Sequence, residues 1–217
     1  MSDGDHGAGD WASETEQRLL DEALRLIPAT GWSRPTVIAA ARVVGLSEPE
    51  AELLVPHGAR DLAALLSRRH DAKALAALAL VDPATLKIRE RIRAGVLARL
   101  DAARADEAAV RRWAGFLSFP TNLPLALRLV WESSDALWRW AGDTATDENH
   151  YSKRAILSGI LITTLAIDLG SGREAALTHL DRSIDNVMSF EKWKGGLRPS
   201  QLAGDVAGAL SRMRYER

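Results

Sequence analysis

Apolar residues recur at intervals of three and four along nearly all of this chain, and alternation with a period of two is scarce. Ala, Leu, Arg and Glu dominate, an alphabet of good helix formers. The pattern predicts a helix over residues 13–29, with Leu20, Leu24 and Ile27 as its buried stripe and Gly31 closing it. Ser33 stands two residues before Pro35 and caps a second helix that ends near Val44. Gly45-Leu46-Ser47 makes a tight turn into a short third helix over 48–55, and His57-Gly58 leads into a longer one from Asp61. Helix, helix, turn, short helix is the order of a helix-turn-helix domain.

Asp82-Pro83 reads as the cap and start of the next helix, whose apolar side holds Leu86, Val96, Leu97 and Leu100. Another helix covers 106–117, and Thr121-Asn122-Leu123-Pro124 opens one rich in tryptophan. On a helical wheel Leu127, Val130, Trp131, Ser134, Leu137, Trp138 and Ala141 share one side of that helix. Leu125, Leu129, Ala136 and Trp140 form a second apolar stripe. Trp140 therefore needs a burial site of its own, and a subunit interface is the simplest one.

The following helix, 147–169, is apolar almost all round beyond Arg154 and is expected at the centre of the bundle. His150, Arg154, Leu157, Leu161, Thr164 and Asp168 share one stripe, polar at its ends and apolar between. Such a stripe fits the lining of an elongated cavity for a greasy ligand with a polar head, and it fits a satisfied buried helix equally. Ser171-Gly172-Arg173-Glu174 has the form of a capping box for a further helix that Gly195-Gly196 terminates. From Pro199 a last segment aligns Leu202, Val206, Leu210 and Met213 on one face, with Arg212, Arg214 and Arg217 beside them. The expectation is all-α, with nine or ten helices.

Composition narrows the chemistry. The 217 residues are 47% hydrophobic and carry a formal net charge of -1, so a packed core is expected and no global field recruits nucleic acid. Cysteine is absent, which removes disulfides and thiol catalysis. The first residues are acidic without Lys or Arg, unlike a secretory or mitochondrial leader. The longest apolar run, AILSGILITTLAIDL, is interrupted by Ser, Gly, Thr and Asp and reads as too short for a membrane span, so a cytoplasmic location is expected.

The five histidines are scattered, and none completes a zinc or di-iron motif; Asp147 and His150 come nearest. No cofactor and no metal are expected. Gly170 to Ala175 matches a relaxed dinucleotide fingerprint, but the flanking segments read as helix where that fold needs strands. The helix-turn-helix part faces a charge test. Its presumed reading helix carries Glu48, Glu50 and Glu52 and no basic residue, which repels a phosphate backbone, although Arg34, Arg42 and Arg60 lie near.

The segment NLPLALRLVWESSDALWRWAGDTATDENHYSKRAIL, followed by LDRSIDNVM and FEKWK, resembles the Coq nine family of ubiquinone-biosynthesis accessory proteins. The helices upstream, including KIRERIRAGVLARL, are similar too, so the resemblance covers about residues 14–195. It implies a TetR-like fold: an N-terminal helix-turn-helix three-helix part, followed by a larger helical ligand-binding and dimerisation body. It implies a homodimer without catalytic activity that binds an isoprenoid quinone intermediate or another lipid and presents it to the di-iron demethoxyubiquinone hydroxylase. Position by position it places Asp135, Leu137, Asp147, Tyr151 and Arg154 on the surface that meets the hydroxylase, with His150 among them. His150 and Glu148 stand where relatives commonly carry aromatic residues. The C-terminal segment, through Leu202, Val206, Leu210 and Met213, is expected to make weak peripheral contact with the inner membrane.

The chain then divides into a disordered N-terminus (1–12), a helix-turn-helix-like part that does not bind DNA (13–57), a helical lipid-binding and dimerisation body (58–196) and an amphipathic C-terminal segment (197–217). Trp131, Trp138, Leu157, Leu161 and Thr164 are the candidate lipid-binding residues. Two other functions stay open: a TetR-type ligand-sensing repressor, and an enzyme on an isoprenoid lipid using His150 beside Asp147.

Overall fold

The computed structural model describes residues 4–144 and 148–196, with side-chain surroundings for 11–144 and 150–187. Among these residues every regular element is helical: nine α-helices joined by turns, two of them 3₁₀. The chain is all-α.

α1 (Gly4–Thr30) starts well before residue 13, so helix covers most of the stretch expected to be unstructured. Thr15 Oγ1 donates to the Trp11 carbonyl at 2.7 Å, four residues back in the same helix. Leu19, Leu20, Ala23 and Ile27 are its buried residues, with Leu24 only partly covered. Gly31 takes φ +74°, and its N–H closes α1 on the Ile27 carbonyl. Ser33 then caps α2 (Arg34–Val43) through Thr36 N–H, as its sequence position predicts. Gly45, at φ +85°, turns the chain into α3 (Glu48–Leu54), where Ser47 and Glu50 form a reciprocal capping box.

α4 (Ala59–Leu78) leads to a difference from the sequence pattern. Asp82 caps only a 3₁₀ turn, Pro83–Thr85, its carboxylate accepting from Ala84 N–H, and α5 (Ile88–Arg104) begins later. Leu86 thus lies outside the helix. α6 (Glu107–Ser118) and a second 3₁₀ turn precede α7 (Leu123–Trp140), α8 (Glu148–Ser171) and α9 (Arg173–Gly196). The Ser171 capping box is also corrected. Ser171 ends α8, Gly172 breaks the chain at φ +88°, and the Gly172 carbonyl accepts the N–H of Ala176 to start α9.

Two main cores organise these helices. The first joins α1, α2 and α3 to α4 and α6 through Leu19, Leu20, Ile27, Leu62, Leu66 and Val110, so it continues across the expected boundary at residue 58. Trp32 fastens it by donating Nε1–H to the Ala109 carbonyl at 3.3 Å. The second joins the end of α4 to α5, α7, α8 and α9 through Leu78, Val96, Leu100, Leu137, Leu157, Leu161 and Leu180. Gly95 lets α5 come close to α7, since a Cβ there would lie 3.3 Å from Leu137 Cδ2.

α7 is held between α4 and α8, so its buried residues are Leu125, Leu129, Ser133, Ser134 and Leu137. Leu127, placed by the wheel on a buried side, is 56% exposed. Trp140 needs no subunit interface: it joins the second core and donates Nε1–H to the Leu78 carbonyl at 3.2 Å. α8 is not the central helix. It packs on α7 and α9 with one side outward, and only 33% of its most apolar window is buried. By length and composition alone residues 150–171 suffice to cross a membrane, contrary to the sequence reading, yet Arg154 and Asp168 are buried on its inner side.

Candidate functional site

The polar turn after α7 is built on one buried cation. Arg154 donates Nε–H to Asp135 at 2.6 Å, Nη1–H to Asp143 at 3.0 Å and Nη1–H to the His150 carbonyl at 3.2 Å. Lys153 reaches the other Asp143 oxygen at 2.6 Å and stands 5.4 Å over the Trp138 ring. Burial alone would raise the Asp143 pKa, but the hydrogen bonds from Lys153 and Arg154 outweigh it and hold the carboxyl below its ordinary value. Gly142 takes φ +86°, and Asp143 N–H returns to the Trp138 carbonyl at 3.0 Å. From the other side Arg91 donates to the Ala141 carbonyl at 2.8 Å. The turn is therefore clamped between α5, α7 and α8.

Above this clamp stands an aromatic group. Tyr151 is 64% exposed, its ring stacked on Trp131 at 6.1 Å and met edge-on by His150 at 5.1 Å. An exposed Tyr on a rigid base is the composition of a contact anchor.

Next to the clamp, on its other flank, lies a cavity of about 210 Å³ between α5, α7, α8 and α9. Its walls are apolar: Ile92, Trp138, Leu157, Ile160, Ile184 and Val187, with Ile88 and Ile156 partly exposed. Arg89 and Lys153 are the cations on its lining. Both are already paired, Arg89 with Asp185 at 2.7 Å and Lys153 with Asp143. Trp138 turns its ring to the cavity while Nε1–H is satisfied by the Lys153 carbonyl at 3.0 Å.

The candidate lipid-binding residues separate accordingly. Trp138 and Leu157 line this cavity. Trp131 stands outside it against Tyr151, and Leu161 lines a second, smaller cleft. Thr164 is fully buried, with Oγ1 lacking a partner among the described residues, and lines neither space. The sequence reading missed Ile88, Ile92, Ile184 and Val187. Their spacings of four and three on α5 and α9 are the signal, hidden for α5 by a start placed too early.

The docking candidates divide too. Leu137 is 4% exposed and belongs to the second core, so it cannot meet a partner. Arg154, at 2% exposed, holds the surface up from beneath and presents nothing itself. Asp135 is partly exposed and shared between Arg154 and Arg139. Tyr151 and His150 are at the surface, while Asp147 lies outside the described residues, as do Leu202, Val206, Leu210 and Met213. Among the described residues no three His, Asp or Glu side chains converge as a metal site would require.

A sequence model of the COQ9 family matches residues 123–191, which span α7, the clamped turn, α8 and most of α9. The chain is also similar to ubiquinone biosynthesis protein COQ9, mitochondrial, of several vertebrates. It is 30% identical to the human protein over 168 residues, 71% of this chain and 51% of that one. To the rat protein it is 28% identical over 195 residues, 83% of this chain and 62% of the relative. To that of Xenopus tropicalis it is 27% identical over 164 residues, 70% of this chain and 50% of the relative. The chain thus spans about half to three-fifths of the curated relatives it matches. The matched segment coincides with the clamp, the aromatic group and much of the cavity wall, so it is residues 123–191 that carry the sequence pattern of the COQ9 family.

Proposed function

We propose that this chain is a non-catalytic, lipid-binding accessory protein of ubiquinone biosynthesis. It holds an isoprenoid quinone intermediate and presents it to the di-iron demethoxyubiquinone hydroxylase. The observation that carries the reading is the apolar cavity beside the clamped turn. At about 210 Å³ it is smaller than the ~300–1,000 Å³ pockets that enclose whole drug-sized ligands, so part of an isoprenoid chain enters and the rest continues past Ile88 and Ile156. The Tyr151–Trp131 stack supports docking of the hydroxylase near the cavity, since Tyr151 precedes the cavity-lining Ser152 and Lys153 in α8. A homodimer and weak membrane contact through residues 197–217 complete the proposal.

A repressor reading gains no support from α3. Arg34 is drawn onto Glu48 and Glu52 at 2.7 Å each, so the nearest cation is spent on the acids of the would-be reading helix. The test of the carrier reading is native mass spectrometry of gently purified protein, with extraction and identification of what it holds. A co-isolated isoprenoid or other long-chain lipid supports it. Bare protein after purification from a membrane-containing lysate overturns it.

A further inference from the structure

The close of α4, the start of α5, the close of α7 and the start of α8 meet at one end of the molecule. Side-chain bonds tie them there. Trp140 donates Nε1–H to the Leu78 carbonyl at 3.2 Å, and Trp138 donates Nε1–H to that of Lys153 at 3.0 Å. Arg91 donates to the carbonyls of Leu86 at 2.9 Å and Ala141 at 2.8 Å. Ile88, the first residue of α5, and Ile156, three residues past Lys153, are the apolar residues of the cavity lining that reach solvent, each 39% exposed.

The same end carries a protruding turn between α4 and Pro83. Leu80 there is 90% exposed, more than any other large apolar side chain among the described residues, and Val81 beside it is 37% exposed. The backbone donors of the turn are closed within it. Ala79 N–H reaches the Leu75 carbonyl at 2.9 Å, Leu80 N–H that of Ala77 at 3.4 Å, and Val81 N–H that of Leu78 at 3.0 Å. A tip with satisfied N–H groups and apolar side chains outward enters hydrocarbon without stripping water from a donor. Trp140, bonded at the base of the turn, is a residue type that suits the level of the headgroups.

Charge near the tip is close to balance. Lys87, Arg89 and Arg91 stand against Asp82 and Glu90, and Arg89 also pairs with Asp185 at 2.7 Å. Asp82 and Glu90 are turned back onto the N–H groups of Ala84 and Lys87, at 2.9 and 2.8 Å. An isoprenoid chain leaving past Ile88 and Ile156 meets water unless an apolar medium lies against this end. A bilayer supplies that medium and takes up Leu80 and Val81 with it.

We propose that the Leu80–Val81 turn is a membrane wedge, which dips into the hydrocarbon of a lipid bilayer and sets the mouth of the cavity against the headgroups. It is a surface separate from residues 197–217 and acts by apolar insertion rather than by attraction to anionic lipid. It rests on the carrier reading for its purpose, a dry route between bilayer and cavity, and on the exposed turn for its existence.

The chain contains no cysteine, so Leu80→Cys carrying a nitrobenzoxadiazole dye places a single reporter on the tip of the full chain. Leu53→Cys is the control: Leu53 is 82% exposed on α3, near the other end of α4, a helix about 30 Å long. With phosphatidylcholine vesicles the dye at 80 should shift its emission to the blue and the dye at 53 should not. Phosphatidylglycerol in the vesicles should leave the shift at saturating lipid unchanged. Leu80→Asp alters an outward side chain, so it should keep the thermal midpoint of the parent and weaken partitioning into vesicles about tenfold. A dye at 80 that stays wet, a shift that needs phosphatidylglycerol, or parental partitioning by Leu80→Asp overturns the wedge. So does a blue shift without vesicles that grows with protein concentration, which assigns the turn to a second copy. Loss of affinity for the hydroxylase by Leu80→Asp with vesicle binding intact assigns it to that partner instead, and also overturns the proposal. Protein that inserts the dye and yields no lipid on extraction fails the carrier reading alone; lipid-loaded protein with a wet dye fails the wedge alone.

Discussion

The Arg154 guanidinium and the Asp143 carboxylate meet at 3.0 Å with side chains only 2% and 5% exposed. Two charges so placed are worth little as a pair and much as partners that must not be separated. Arg154→Met should cost about 3–5 kcal/mol, because Asp143 keeps its burial and loses a donor. Urea denaturation measures it. Adding Asp143→Leu should recover a substantial part of that loss, and a double variant as unstable as the single one would show that the ion pair is not what holds the turn.

His70 sets a pH window. Burial lowers its pKa from 6.5 to about 4, with Arg99 adding to the effect, while Asp106 at 2.8 Å works against it. The unfolded chain therefore binds a proton between pH 6.5 and about 4 that the folded chain refuses, and stability falls as pH drops through that window. The loss is about 3 kcal/mol by the bottom of it. Asp143, whose folded pKa is depressed, gives its stability above the ordinary carboxylate range and loses it at lower pH still. Asp71, with a raised pKa, opposes the trend at the acid end. His70→Gln keeps a donor toward Asp106 and should flatten the fall between pH 6.5 and 4 in thermal unfolding; a slope as steep as before would acquit His70.

Much of the helical order was legible because local signals and tertiary packing agree. Ser33, Gly45 and Ser47 act where their types and spacing say they should, since caps and positive-φ turns are decided within a few residues. Asp82-Pro83 misled because the same two residues start a 3₁₀ turn as readily as a helix. Which apolar stripe is buried is a tertiary matter. Leu127 and Leu129 look alike in sequence, and the neighbours of α7 decide that Leu129 goes inside and Leu127 does not. The cavity was least legible, as half its wall comes from Ile88, Ile92, Ile184 and Val187, far apart in the chain.

Tyr151 is the residue on which docking should turn. It is exposed on a ring stack and makes no core contact, so Tyr151→Ala should change folding stability by no more than about 0.5 kcal/mol. Binding to the hydroxylase should weaken by about 2 kcal/mol, roughly thirtyfold. Biolayer interferometry with the purified hydroxylase reads the second number. An affinity equal to that of the parent protein removes Tyr151 from the interface and leaves the aromatic group without a role.

The cavity itself yields the last expectation. Ile156 is partly exposed at its edge, on the α8 turn that follows the Arg154 clamp, so a larger side chain there blocks entry without opening the core. Ile156→Trp should abolish co-isolated lipid while leaving the unfolding midpoint of delipidated protein close to that of the parent. Leu157 is the contrasting position. It is 1% exposed, and Leu157→Ala should cost about 2–5 kcal/mol and enlarge the cavity, so lipid is retained or gained while stability falls. The opposite directions of the two variants separate a binding space from a packing defect. If Ile156→Trp carries as much lipid as the parent, the chain is held elsewhere, and the apolar wall of α5, α8 and α9 is only a loosely packed seam.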